Sequence, residues 1–150
     1  MAAVFTIRIM SWRDALPLAR PVRERVFVEE QRVPLELEWD KWDEASDHAV
    51  AFDSGGNAVG TARLLPDGHI GRMAVLKEWR GKGVGAALLA AMLERARSRA
   101  MPRALLNAQT KAASFYRRFG FSERGEEFFE AGIPHVEMFL ELFPRETGGS

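Results

Sequence analysis

The sequence predicts an α+β fold with helices layered against a sheet, from three observations. Short apolar runs with the alternation of strands recur along the chain. A long apolar stripe at helical spacing follows WRGKGVG. Turn chemistry such as SGGN and DGH separates the strand-like runs. With 150 residues and 47% hydrophobic content the chain suits one filled core and is short for two. One domain over residues 1–145 is expected, with the tail at 146–150 frayed.

Val4 to Met10 alternates as a first strand. Asp14 to about Glu30 reads as a helix interrupted early by Pro17 and Pro21, with Val22, Val26 and Glu30 sharing its spacing. The acidic, aromatic stretch VPLELEWDKWDEASD lacks clean periodicity and is expected to be a long loop or short helix over a pocket. His48–Asp53 and Ala58–Leu65 flank SGGN as a β-hairpin, and Ile70–Leu76 follows DGH as the next strand. Val84, Leu88, Leu89, Ala91, Met92, Leu93 and Ala96 form a broad helical stripe, with Glu94, Arg95, Arg97 and Ser98 toward water. Pro102 ends that helix, and Ala104–Ala108 reads as a strand parallel to the earlier one. Lys111–Phe119 is a second helix capped by Gly120, and Phe121 begins another strand. After the GIP turn, HVEMFLEL puts Val136, Met138, Leu140 and Leu142 on one face.

Lys plus Arg and Asp plus Glu both total 21, so the overall charge does not point to nucleic acid. The signs are unevenly spread: Arg63 to Arg124 is rich in basic residues, and Glu29 to Asp47 is strongly acidic. The absence of cysteine excludes disulfides, cysteine-ligated zinc and thiol nucleophiles. MAAVFTIRIM, broken by Arg8, reads as a strand and not a signal peptide, and no window reaches membrane-spanning length. A cytoplasmic protein without metal, membrane or nucleic-acid partner is expected.

The first N–H groups of a helix have no intrahelical partner, and the helix dipole adds partial positive charge there. Gly81, Gly83 and Gly85 let backbone approach a ligand, and Arg80 and Lys82 add cations, so a pyrophosphate suits the turn. A tight strand-to-helix turn with glycines for packing explains GKGVG equally well. The Walker pattern fails because Val84 stands where Lys should precede Ser or Thr. Gly81, Gly83 and Ala86 fit a dinucleotide fingerprint, but the next strand ends at Asn107 and Ala108 without the carboxylate a ribose needs.

IGRMAVLKEWRGKGVGAALL resembles the acetyl-CoA-binding signature of the GNAT superfamily of N-acetyltransferases, with Arg80, Gly83 and Gly85 on its R-x-x-G-x-G core. LLNAQTKAASFYRRFGF resembles the family's second signature, and VRERVFVEEQRVPLELEWDKWDEASDH with GIPHVEMFL resembles its ElaA-like branch. The resemblance implies a mixed, mostly antiparallel sheet of six to seven strands, splayed between the fourth and fifth and flanked by helices. It implies that Met73, Ala74 and Val75 meet the pantetheine arm of acetyl-CoA through backbone. Arg80, Gly81, Lys82, Gly83, Val84, Gly85 and Ala86 would hold the pyrophosphate, and Asn107, Ser114 and Tyr116 would complete the cofactor side.

The implied reaction is acyl transfer from acetyl-CoA to a primary amine of a small molecule or peptide, by direct attack because no cysteine can carry the acyl group. A CoA-binding sensor without turnover is the alternative. Tyr116, the only tyrosine, is expected as general acid, with the Val75 N–H as oxyanion donor. Glu30 and His135 are both candidates for the base, with His48 behind them. Glu30, Gln31, Arg72 and His135 form the expected substrate side, Arg72 orienting a substrate carboxylate or pairing with a loop acid. The acidic loop suggests a cationic acceptor, Trp39 and Trp42 a substrate wall, and exposed strand edges a homodimer.

Overall fold

Seven strands pair into two antiparallel sheets in the computed structural model, which describes residues 4–38 and 40–143. The first sheet has the order β1 (Phe5–Met10), β2 (Asp47–Asp53), β3 (Ala58–Leu64), β4 (Ile70–Val75). The second has the order β5 (Arg103–Gln109), β7 (Ile133–Glu141), β6 (Ser122–Glu130). The expected tail at 146–150 and Trp39 lie outside the described residues.

Side chains of β2 alternate between two helices. His48 stacks on Trp12 of α1 (Trp12–Arg23), whereas Ala49 and Ala51 join the core beneath α3 (Val84–Ser98). The α3 stripe buries Val84, Leu88, Leu89, Met92, Leu93 and Ala96 as its spacing requires. Gly60 lets α3 sit close: a Cβ there would stand 3.0 Å from Val84 and 3.1 Å from Leu88. On β7 the expected face holds, with Val136, Met138 and Leu142 buried.

Two helices depart from the periodicity. The first begins at Trp12, earlier than expected, and runs through Pro17 and Pro21 before changing to a π-helical segment, Glu24–Glu30. There the Gln31 N–H reaches the Val26 carbonyl five residues back at 3.1 Å. This wider turn rotates Glu30 off the Val22/Val26 face, so the shared spacing does not survive. Lys111–Phe119 shortens to a 3₁₀ turn, Thr110–Ala112, and α4 (Ala113–Arg117), closed by Gly120 at φ 96°.

Strands β4 and β5 run parallel and meet at one bridge, His69 to Leu105, where the Leu105 N–H bonds the Gly68 carbonyl at 3.0 Å. Gly68 is required there, because a Cβ would stand 2.5 Å from the Arg103 carbonyl oxygen and φ is 99°. Past the bridge the strands diverge. A bulge sets Arg72 and Met73 against Ala62 alone, with Arg72 at φ 47°. The Leu76 N–H bonds the Val59 carbonyl, so by antiparallel alternation the Val75 N–H and carbonyl turn from β3 toward β5. On β5 the Leu142 N–H bonds the Pro102 carbonyl, and the same alternation turns the backbone of Leu105, Asn107 and Gln109 toward β4. The result is two facing edges with polar groups that do not reach one another.

The acidic stretch, expected as a long loop or short helix over a pocket, forms the short helix α2 (Leu35–Glu38) and turns Glu38 and Asp43 inward. Arg23 donates from Nε to Glu38 Oε1 at 2.6 Å and from its two terminal nitrogens to Asp43 at 2.8 and 3.1 Å. Arg63 grips Asp40 through two bonds of 2.7 Å and reaches Asp43 at 3.0 Å, while Arg72 bonds Asp40 at 3.2 Å. Three cations and three carboxylates thus compensate one another beneath α1. Removing one partner leaves a buried charge uncompensated, so Arg23→Ala should cost about 3–5 kcal/mol in urea unfolding. His48, fully buried, donates from Nε2 to the Asp43 carbonyl at 2.8 Å. Burial first, then the Arg23 and Arg63 cations, holds its pKa below the ordinary value. The unfolded chain binds that proton more readily, so stability present above about pH 6.5 is lost as pH falls through the folded value. The urea midpoint should fall between pH 7 and 5, less steeply in His48→Gln.

Candidate active site

The divergence of β4 and β5 opens a cleft of about 410 Å³. Arg72 and Met73 line it from β4, Leu106, Asn107 and Gln109 from β5, Tyr116 from α4, and Phe27 and Gln31 from the π-helical side. Glu130 and His135 close it from the β6–β7 hairpin. A second cavity of about 310 Å³ adjoins it and shares Phe27, Gln31, Arg72, Gln109, Glu130 and His135.

Tyr116 is half-buried, its ring edge-on to Phe115 at 5.1 Å and to Phe121 at 6.1 Å. Burial pushes its phenol above the ordinary value, so it keeps its proton at neutral pH. Among the described residues its hydroxyl has no hydrogen-bond partner.

His135 is buried between strands, with Nδ1 2.7 Å from the Ile133 carbonyl oxygen. A carbonyl only accepts, so Nδ1 carries the proton and Nε2 of the neutral ring keeps its lone pair. Glu130 Oε2 stands 3.6 Å from Nε2, and the ring stacks on Phe128 at 5.9 Å. Across the cleft the Gln109 amide donates to Gln31 at 3.0 Å, tying β5 to the end of the π-helical segment.

At the other end stands the glycine turn. Gly81 and Gly83 have φ of 75° and 87°, and a Cβ on either would meet nothing within 4 Å. The first α-helical bond of α3 is from the Ala87 N–H to the Gly83 carbonyl, so the N–H groups of Val84, Gly85 and Ala86 precede the ladder. Gly85 is helical, and a Cβ there would make only ordinary contacts at 3.9 Å to Phe115 and Val75. Internal packing therefore does not explain this glycine, which costs a helix interior about 1 kcal/mol against Ala.

Of the expected residues, the cleft gathers Gln31, Arg72, Met73, Asn107, Tyr116 and His135. Ala74 is buried beside it and Val75 half-buried at its edge; Lys82 and Ser114 are exposed. Glu30 is not among the cleft residues. It is exposed, not partly buried as expected, and pairs with Arg80 at 2.8 Å beside the glycine turn, because the π-helical segment rotates it there. Arg80 is anchored further by Nε to the Val75 carbonyl at 3.0 Å. His48 lies in the buried network, away from the cleft. Trp42 is exposed under Lys41 at 5.1 Å and lines neither cavity. Of the loop acids, Glu38, Asp40 and Asp43 are engaged by arginines.

Sequence reasoning missed Gln109, Glu130 and Glu38, the last lining the second cavity. Glu130 sits beside the readable turn at Gly132 and Gln109 ends a recognised strand, but facing a cleft is a tertiary property. Glu38 had an indirect signal: Arg23, four residues after Ala19 and eight after Ala15, stands on the apolar face of its helix and demands a buried carboxylate.

Known proteins agree with this geometry. Residues 17–142 match the model of the acetyltransferase (GNAT) domain. An uncharacterized N-acetyltransferase of Bacillus subtilis, YjcF, is 42% identical, covering 78% of this chain and 86% of that one. The structure of Escherichia coli ElaA is 27% identical with a TM-score of 0.83, covering 92% of this chain and 100% of that one. An acyl-CoA N-acyltransferase of Pseudomonas aeruginosa is 28% identical with a TM-score of 0.82, covering 91% and 99%. The splayed strands, the glycine turn and these likenesses together make the chain a member of the GNAT acetyltransferase family, on its ElaA-like branch.

Proposed function

We propose that this chain transfers an acetyl group from acetyl-CoA to a primary amine by direct attack in a ternary complex. The observation that carries this reading is the pair of edges left without a strand partner where β4 and β5 diverge, the Val75 N–H on β4 and the Asn107 backbone on β5, beside the cleft that Tyr116 lines. An arm with amide groups can pair with such edges as an added strand would. The open space over Gly81, Gly83 and Gly85 fits a diphosphate on the helix N-terminus, with Arg80 and Lys82 as cations.

Acetyl-CoA supplies the thioester carbonyl, at which a C–N bond forms as the C–S bond breaks. The Val75 N–H receives the oxyanion. His135 Nε2 accepts the proton that the attacking nitrogen loses, and Glu130 beside it stabilises the imidazolium. Tyr116 donates a hydrogen bond to the departing sulfur. Because burial raises the phenol, it holds its proton more tightly than a thiol of pKa about 8.5. Tyr116 therefore stabilises the thiolate as a donor, and the proton collected from the amine neutralises sulfur on release.

Tyr116→Phe should lower kcat about a hundredfold in a thiol-release assay, with coenzyme A affinity by calorimetry within about threefold of wild type. An unchanged kcat would remove Tyr116 from the reaction, and coenzyme A binding with no turnover on any amine would favour a CoA sensor over an enzyme. Wild-type kcat/KM should rise with pH as the amine deprotonates and show no loss from Tyr116 below the ordinary phenol range of about pH 10, because burial raises the phenol. Gly85→Glu places a carboxylate in the anion cradle where a Cβ has room. It should weaken coenzyme A binding by about a hundredfold or more while leaving the melting temperature within a few degrees.

A further inference from the structure

Four residues past Val26, an ordinary helix would return Glu30 to the buried face that Val22 and Val26 share. The π-helical segment Glu24–Glu30 breaks that periodicity, its wide turn closed by the bond from the Gln31 N–H to the Val26 carbonyl. Single π turns are uncommon and frequently lie at functional sites. The last residue of this one shows its effect: Glu30 Oε2 accepts from a terminal nitrogen of Arg80 at 2.8 Å, across 50 residues of sequence.

Arg80 enters the pair already oriented, because its Nε donates to the Val75 carbonyl at 3.0 Å. A carboxylate of the chain itself therefore sits on the cation beside Gly81 and Gly83, where nothing stands within 4 Å of the missing Cβ atoms. An open groove of about 560 Å³ surrounds the pair and carries two more acids, Glu29 and Glu78. Glu78 stands 3.5 Å from Arg25, and among the described residues Glu30 is the acid of this groove paired with Arg80. The side chains of Arg80 and Glu30 are 43% and 32% exposed, and pairs of that kind contribute only about 0–1 kcal/mol. So weak a contact does not account for a break in the helix by its energy; its position does.

We propose, resting on the acyltransferase reading for the identity of the anion, that Glu30 is an internal competitor for the cofactor's diphosphate. It neutralises Arg80 while the turn is empty, yields to the diphosphate, and retakes the guanidinium as coenzyme A leaves. Coenzyme A keeps every phosphate of acetyl-CoA, so a competitor at the diphosphate loosens substrate and product together. A pair worth up to about 1 kcal/mol lowers both affinities by up to about fivefold.

Coenzyme A titrated by calorimetry into Glu30→Gln should bind about fivefold more tightly than into wild type. The melting temperature should stay within about two degrees, because the pair is exposed. Arg80→Gln should weaken binding, and adding Glu30→Gln to it should change affinity by less than about twofold, since the competitor then has no cation to hold. In a thiol-release assay, KM for acetyl-CoA and the product-inhibition constant of coenzyme A should fall by the same factor in Glu30→Gln, without a rise in kcat. A carboxylate that merely braces the helix would instead lower the melting temperature and leave coenzyme A affinity equal or weaker. Binding by Glu30→Gln within about twofold of wild type, or tightening that persists undiminished in the Arg80→Gln background, overturns the proposal. A wild type that does not bind coenzyme A sinks acyl transfer and the competitor together; one that binds it and is indifferent to Glu30→Gln sinks the competitor alone.

Discussion

Two neighbouring strands that run parallel yet, among the described residues, join at a single bridge are the constraint on which the rest of this molecule depends. At the His69–Leu105 bridge the backbones touch because Gly68 has no side chain to collide with the Arg103 carbonyl. A few residues on, the bulge at Arg72 and Met73 shifts the register of β4 against β3 and directs the Val75 backbone into the gap. Ordinarily β4 and β5 would satisfy one another along their whole length. Here the Val75 N–H and the Asn107 backbone are withheld from the sheet, and the cleft that Tyr116 lines opens where the two strands part.

The bulge is held from behind by charge. Arg72, in a left-handed conformation that arginine seldom adopts, sends its side chain to Asp40, which Arg63 grips, and Asp43 continues the network to Arg23 on α1. An apolar core of equal volume is often as stable as such a network, so stability alone is a weak account of it. Its geometric effect is clearer: planar guanidinium groups against carboxylates fix distances and angles that methyl groups leave loose. The wall between the cleft and its neighbouring cavity is thereby set from three elements distant in sequence.

Much of this was legible in the residues. The α3 stripe, the hairpin at SGGN, the parallel arrival of β5 and the anion-ready turn follow from local periodicity and turn chemistry, and the structure keeps them. What failed did so for tertiary reasons. A π-helical segment changes the angle per residue without any local mark, and it carried Glu30 from the presumed base position to Arg80. The inward pairing of Glu38, Asp40 and Asp43 was not legible, because sequence composition does not reveal which arginines return to meet them. Gln109 and Glu130 acquire meaning only when β5 and the β6–β7 hairpin are brought to one opening.

Burial also divides the arginines by role. The Arg80–Glu30 pair is exposed, and pairs of that kind are worth only about 0–1 kcal/mol, so on the proposed function an arriving diphosphate would displace the carboxylate at little cost while the Val75 carbonyl keeps the guanidinium aimed. Arg23 and Arg63 answer carboxylates that are almost wholly hidden from water, and separating those pairs strands charge in a poorly solvated interior. Arg72 stands between the two cases, half-buried at the cleft yet committed to Asp40 and lying close to Glu38. A substrate carboxylate reaching it would have to outbid both. On the acceptor side of the cleft the cations are thus already taken, whereas at the glycine turn Arg80 is held only by an exposed pair.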